Sequence, residues 1–364
     1  MKDLRLIKLF YRESTNQTSD KKILGKGLLL LLILSLHLPQ LGFSKELTDL
    51  QRCLLEFQEQ AGDEITMGEA RKQCLEKINA TAGMEVDEKK VADDDMADAL
   101  DRRLATDDRN VLEPFTLMAH KPNYLLIASH NFSGINAEPF KEQFDDPALE
   151  LDDTEAKFQI SLKIPLLVNL FEKKLDIYAA YTNRSFWQIY NSNSAPFRET
   201  NHEPEIWLQT RHEWKLFGLR NKINALGLVH QSNGRGGELS RSWNRIYANF
   251  IFDRGNWALG IKPWIRINES SDDDDNPDIT DYLGHGELRT SYKWQNNTFS
   301  LMLRNNIESG FEKGAVEAAW SFPLWKYRFL KGYIQWFSGY GESLIDYDQY
   351  SNSLGFGVLI TDWL

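Results

Sequence analysis

From about residue 115 onward the chain alternates between apolar and polar side chains. KFQISLKIPLL sets Phe158, Ile160, Leu162 and Ile164 on one face and Gln159, Ser161 and Lys163 on the other. WALGIKPWIRIN sets Trp257, Leu259, Ile261, Ile265 and Ile267 against Lys262, Arg266 and Asn268. Successive strand residues point to opposite faces, so a period of two marks strands with one apolar face. Turn signals such as SDDDDNPD, NN and SGYGES separate the runs. Candidate strands start near Pro122, Ala156, Lys174, Glu203, Asn221, Ser240, Asn256, Leu283, Thr298, Lys313, Lys326 and Asn352. That is about twelve, an even number as bacterial barrels require, and many are near the roughly 9–11 residues that cross a tilted span.

The polar faces carry charges, which suits a packed polar lumen, and LGFGVLITDWL reads as an alternating terminal strand. The predicted fold is all-β, a 12-stranded antiparallel transmembrane β-barrel over residues 115–364. A soluble β-sandwich is the alternative, but it would have to hide this many outward aromatics in one core.

Before residue 115 the pattern differs. Lys21, Lys22 and Lys26 precede GLLLLLILSLHLPQLGF, and Gly42 and Ser44 supply small residues for cleavage after Ser44, so residues 1–44 read as a signal peptide. An uncleaved anchor is the rival, although the unbroken apolar run is shorter than the ~20 residues that span a bilayer. Residues 45–114 form a short extension. Its first part, 45–82, has helical spacing and carries Cys53 and Cys74, either stapling a hairpin or buried as free thiols. Residues 83–113 are acidic and read as a linker or an exposed helix.

Composition narrows the partners. The 364 residues carry a net charge of -11, which argues against nucleic acid. Aromatics make up 12% of a chain of negative mean hydropathy, as expected when the apolar surface is one side of each strand.

One stretch breaks the alternation: HQSNGRGGELSRSWNR, His230 to Arg245. His230 and Ser232 share a face with Leu226 and Leu228, and Asn244 shares one with Ile246, Ala248 and Phe250. Arg241, Arg245 and Asn249 point the other way, toward the lumen. A hairpin centred on Gly237 would set His230 opposite Asn244 and Ser232 opposite Ser242. Directly opposed Cβ atoms lie roughly 4.5–5.5 Å apart, within reach of one imidazole. A serine, a histidine base and an orienting third group make a nucleophile. An asparagine in the third place holds the tautomer without a charge on the lipid side, where one is costly. The competing reading is a polar trio at headgroup level.

HQSNGR, SRSWNR, NSAPFRETNHEPE, KPW, DDNPDIT and SGYGESLIDY together resemble the outer-membrane phospholipase A family, in consistent order over roughly residues 115–364. The resemblance implies a barrel whose active site lies on its lipid-facing surface. Ser232 matches the nucleophile, His230 the general base and Asn244 its orienting partner. It also implies calcium held by the Arg235 carbonyl and the Ser240 hydroxyl, with Ser194 supplied by a second subunit. Hard oxygen ligands suit calcium, and this neutral set leaves several positions to water. Asp275, in SSDDDDNPD, matches a position linked to a second calcium site, but Gly237 stands where an aspartate is expected, with Glu238 beside it.

Asn183 shares a lipid-facing row with Ile177, Ala179, Tyr181 and Ile189, where better-known members carry glutamine at a homodimer interface. It either pairs across a two-fold or is a tolerated polar residue. The other histidines (His37, His120, His130, His202, His212 and His285) lack metal spacing. The implied function is a calcium-dependent, dimerisation-activated hydrolase of glycerophospholipids and lysophospholipids in the outer membrane of a Gram-negative-type envelope. The alternative is a non-catalytic structural or pore-forming barrel.

Overall fold

The computed structural model describes residues 73–74, 98–111, 113, 116–173, 175–193, 196–270, 272, 274–306, 309–310, 312–325 and 327–364. The expected signal peptide, Cys53 and Ser194 lie outside the described residues. The chain divides into two compact units, Met1–Asp93 and Asp94–Leu364, and the second carries the barrel.

Twelve long antiparallel strands form a closed barrel. In chain order they are β1 (Asn123–Asn131), β2 (Thr154–Asn169), β3 (Leu175–Trp187), β4 (Phe197–Thr210), β5 (Leu219–Ser232) and β6 (Ser242–Arg254), followed by β7 (Trp257–Ile267), β8 (Gly286–Trp294), β9 (Asn297–Asn305), β10 (Gly314–Leu324), β11 (Tyr327–Tyr340) and β12 (Tyr350–Thr361). Each strand pairs with the next, and β12 pairs back onto β1, so no long edge is left open. Among the described residues four short helices lie between or before strands: α1 (Ala99–Val111), α2 (Glu138–Phe144), α3 (Leu170–Lys173) and α4 (Ile279–Leu283).

The alternation predicted for the strands is the alternation observed. In β2, Gln159 and Ser161 are buried while Ile160 and Ile164 are exposed. Outward rows such as Leu226, Leu228, Ile246, Ile261 and Ile265 form an apolar belt, and Ile265 is 72% exposed. Only surroundings without water make such a belt favourable. Strand starts fall close to the predicted ones except in β4, which begins at Phe197 instead of near Glu203. The added residues show no apolar alternation because Arg198 and Glu199 are both buried. Arg198 is held by Glu155 at 2.9 Å and Asp346 at 2.5 Å.

Inside, paired charges share the core with apolar side chains. Lys157 reaches Glu342 at 2.9 Å, Lys121 reaches Glu203 at 2.7 Å, and His120 meets Glu205 at 2.7 Å. Burial favours the neutral acid at Glu342, yet the adjacent Lys157 ammonium holds its carboxyl below the usual range. Aromatic side chains including Trp207, Trp243, Tyr247 and Trp264 pack among these groups.

The acidic stretch ends in α1, which buries Ala99 and Leu100 at the mouth where β5 begins. Its carboxylates find cations on the barrel: Asp107 meets Lys163 at 2.7 Å, Asp108 meets Arg211 at 2.7 Å and Asp101 meets Lys222 at 2.9 Å. Of the two readings of this stretch, these residues take the helical one, with a buried face as well as a charged one.

Candidate active site

The β5–β6 hairpin has the register expected from the sequence, with His230 opposite Asn244 and Ser232 opposite Ser242. Its reversal runs through a short 3-10 turn, Gly237–Leu239. Gly234 and Gly237 take φ of +65° and +62°, a left-handed conformation that glycine adopts without a Cβ penalty.

Several contacts fix this loop. The Asn233 side chain donates to Leu239 O at 2.7 Å and accepts from the Arg241 N–H at 3.1 Å. Leu239 packs with Phe140 of α2 and with Ile345. The Arg235 guanidinium donates to the carbonyls of Phe197 at 3.0 Å and Arg198 at 2.7 Å. Arg235 therefore anchors the loop through its side chain, while its own carbonyl belongs to a largely exposed turn.

On the outward face His230 Nδ1 lies 2.8 Å from Asn244 Oδ1. A donating Nδ1–H leaves Nε2 as the basic nitrogen. Ser232 sits on the same face two residues on, and among the described residues its hydroxyl has no hydrogen bond to the imidazole. Nucleophile–base contacts are often loose before substrate arrives. All three side chains are half-buried within the exposed apolar row.

The segment after β7 clasps this strand. Asp275 accepts from the Ser240 hydroxyl at 2.5 Å, Asn276 accepts from the Ser242 N–H at 2.8 Å, and Glu269 accepts from Asn244 Nδ2 at 2.6 Å. The segment is tied down by Arg266, which reaches Asp274 at 2.6 Å and Pro277 O at 2.8 Å. Asp275 is thus brought onto the residue expected to bind calcium, and the Ser240 hydroxyl, the Asp275 carboxylate and the Arg235 carbonyl are hard oxygen donors of the kind calcium takes.

Sequence reasoning missed Glu269 and Asn276. Glu269 was detectable, since the β7 alternation carried past Ile267 sets an acid on the apolar face, the same anomaly that singles out His230. Asn183 lies opposite His202 and Ile160, and its Oδ1 accepts from the Ser185 hydroxyl at 2.9 Å. His202 in turn faces Ser232 and takes the Tyr181 hydroxyl at 2.6 Å.

Comparisons with known proteins converge. The phospholipase A1 family model matches residues 100–360. A relative from Neisseria meningitidis serogroup B is 44% identical over 214 residues, which cover 57% of this chain and 55% of that protein. The chain thus spans only about half the length of that relative. The phospholipase A1 of Klebsiella pneumoniae is 38% identical over 250 residues, covering 68% of this chain and 84% of that one. The crystal structure of a Salmonella typhi outer-membrane phospholipase dimer with bound calcium superposes with a TM-score of 0.63 at 36% identity, covering 70% of this chain and 96% of that one.

Proposed function

Since the chain belongs to the phospholipase A1 family of outer-membrane β-barrels, we propose that it cleaves acyl esters of glycerophospholipids and lysophospholipids with a Ser232–His230–Asn244 triad, as a calcium-dependent homodimer. The observation that carries this reading is the 2.8 Å pair between His230 Nδ1 and Asn244 Oδ1 on the outward apolar face, with Ser232 beside it. A site there meets its substrate by lateral movement within the membrane.

In acylation the Ser232 hydroxyl oxygen attacks the acyl carbonyl while its proton passes to His230 Nε2. Asn244 accepts the Nδ1–H and keeps the imidazole oriented as it becomes positive. The bond to the glycerol oxygen breaks, and the imidazolium gives its proton to that leaving oxygen. Water then attacks the acyl-serine as His230 takes its proton, the acyl–Oγ bond breaks, the imidazolium returns that proton to Ser232 Oγ, and the fatty acid leaves. The Ser232 N–H donates to the carbonyl oxygen as it gains charge.

The calcium ligands proposed are the Arg235 carbonyl and the Ser240 hydroxyl, completed by Ser194 of a second subunit, with Asp275 alongside. The donor set fits a hard divalent cation, and the Salmonella relative holds calcium in a dimer. Bound there, calcium would supply positive charge for the oxyanion.

The deciding experiment follows fatty-acid release from phospholipid vesicles by the wild type, Ser232→Ala and His230→Ala, with calcium or with chelator. Release by the wild type in calcium alone supports the mechanism. Release indifferent to both substitutions and to chelator overturns it, and no release under any condition favours a non-catalytic barrel.

A further inference from the structure

We infer that Glu269 is a positioning residue for the triad, selecting the orientation of the Asn244 amide and through it the histidine tautomer. This rests on the catalytic reading of Ser232, His230 and Asn244.

An asparagine is an ambiguous partner for an imidazole. Its amide is nearly symmetric in shape, with an acceptor oxygen at one end and a donor NH2 at the other. With Oδ1 toward the ring, Nδ1 carries the proton and Nε2 is free to act as base. With the amide flipped, Nδ2 donates to Nδ1, the ring proton moves to Nε2, and the base is lost. An aspartate would remove the ambiguity, since it only accepts, but would place a charge directly against the ring on the lipid side.

Glu269 resolves the choice one step away. Its Oε1 lies 2.6 Å from Asn244 Nδ2 while Asn244 Oδ1 lies 2.8 Å from His230 Nδ1. An ionised carboxylate only accepts, so it holds Nδ2 and leaves Oδ1 for the ring. The flipped amide would turn its oxygen onto the carboxylate, two acceptors with no proton between them. Glu269 is half-buried beyond the end of β7, on the side of the strand that carries the exposed Ile265 and Ile267. Ile267 lies directly opposite Asn244, so the next outward residue is within reach. The carboxylate stays at the rim of the apolar belt, where water still reaches it, and its preference is relayed by a neutral amide.

The test uses the full barrel in vesicles with calcium and compares wild type, Glu269→Gln and Glu269→Ala, each alone and combined with Asn244→Ala. Heat-modified gel mobility establishes that each variant is a folded barrel. Glu269→Gln keeps the size of the side chain but both donates and accepts, so it tolerates either amide orientation and carries the test if Glu269→Ala does not fold. We expect kcat to fall about 10-fold or more in both, as for a lost charge-assisted hydrogen bond, with KM within about twofold. In the Asn244→Ala background no further loss is expected, because nothing is left to orient.

Nitrogen-15 spectra of labelled histidine give a readout that a merely structural role would not move. The signal absent from His230→Ala should report protonated Nδ1 in the wild type and a tautomer mixture in Glu269→Gln. Wild-type kcat in Glu269→Gln, an equal further loss in the Asn244→Ala background, or an unchanged tautomer would each overturn the inference. Ser232→Ala and His230→Ala run alongside. If they retain release, the catalytic reading has failed; if they abolish it while the Glu269 variants behave as wild type, only the inference has.

Discussion

Two histidines of this barrel invite opposite assignments when burial and charge are the guide. His120 points into the lumen, bonds Glu205 at 2.7 Å and stacks on Trp207 at 5.0 Å between ring centres. Glu205 also takes the Tyr247 hydroxyl at 2.7 Å and lies 3.7 Å from Lys121 and 3.8 Å from Lys262. His230 faces lipid, has an uncharged partner, and has no hydrogen bond at Nε2 among the described residues. The lumen histidine has the carboxylate expected of a catalytic relay, yet the polar groups around it are already engaged with one another. The lipid-side histidine has one nitrogen fixed and one free beside a serine. On the proposed function, the reactive group is the one with an unspent valence in surroundings it does not match, whereas charge density marks the packing of the barrel.

The largest effect is expected from removing the proposed nucleophile. Ser232→Ala should cut fatty-acid release by more than about 1,000-fold, as loss of a triad member does, while gel mobility reports an unchanged barrel. A residual rate within tenfold of wild type would mean that another group attacks the ester. Calcium removal should come next, at about 100-fold or more, the scale of losing oxyanion stabilisation. Adding calcium back should restore the rate, and Ser240→Ala should raise the calcium concentration needed for half of it. A rate unaffected by chelator in the wild type would separate the triad from the metal.

The outward site was largely legible because a strand has period two. Once Leu226 and Leu228 were assigned to lipid, His230 and Ser232 had to be there too, and the hairpin sum that paired His230 with Asn244 is the observed register. The start of β4 was not legible, since Arg198 and Glu199 both turn inward to partners far away in the chain and leave no alternation to read. The clasp after β7 was half legible. SDDDDNPD reads as a turn, but that Asp275, Asn276 and Glu269 would bond Ser240, Ser242 and Asn244 depends on how that segment folds back. No periodicity encodes that. The cations that receive α1 were hidden for a related reason: Lys163 lies on β2, Lys222 on β5 and Arg211 just past the end of β4, and they come together around the helix only when the barrel closes.

The orienting partners of the two histidines should separate stability from rate. Asn244→Ala is expected to lower kcat about 10- to 100-fold, the worth of a hydrogen bond to a charged group in the transition state, with little change in the unfolding midpoint. His120→Ala should do the reverse. It leaves part of a buried Glu205 unpartnered, costing about 1–3 kcal/mol of stability, with release within about twofold of wild type. Thermal unfolding in detergent and vesicle assays on the same preparations check both. A crossed outcome, with His120→Ala inactive and Asn244→Ala active, would move the chemistry into the lumen.

The smallest expected effect concerns Asn183, which tests whether the outward face is complete within one chain. A polar side chain in an apolar row has little to gain from lipid and something to gain from its own copy across a two-fold. Hydrogen bonds between membrane-embedded polar groups are worth only about 0.6 kcal/mol on average, so Asn183→Ala should weaken the dimer about threefold. A loss that small is visible only where the dimer is partly dissociated. Release by Asn183→Ala should therefore trail the wild type at low protein-to-lipid ratios and converge with it as the ratio rises, since mass action restores the pair. A deficit that persists undiminished at high ratios would place Asn183 in the chemistry of a single barrel. Equal rates at every ratio would leave the residue with no part in assembly.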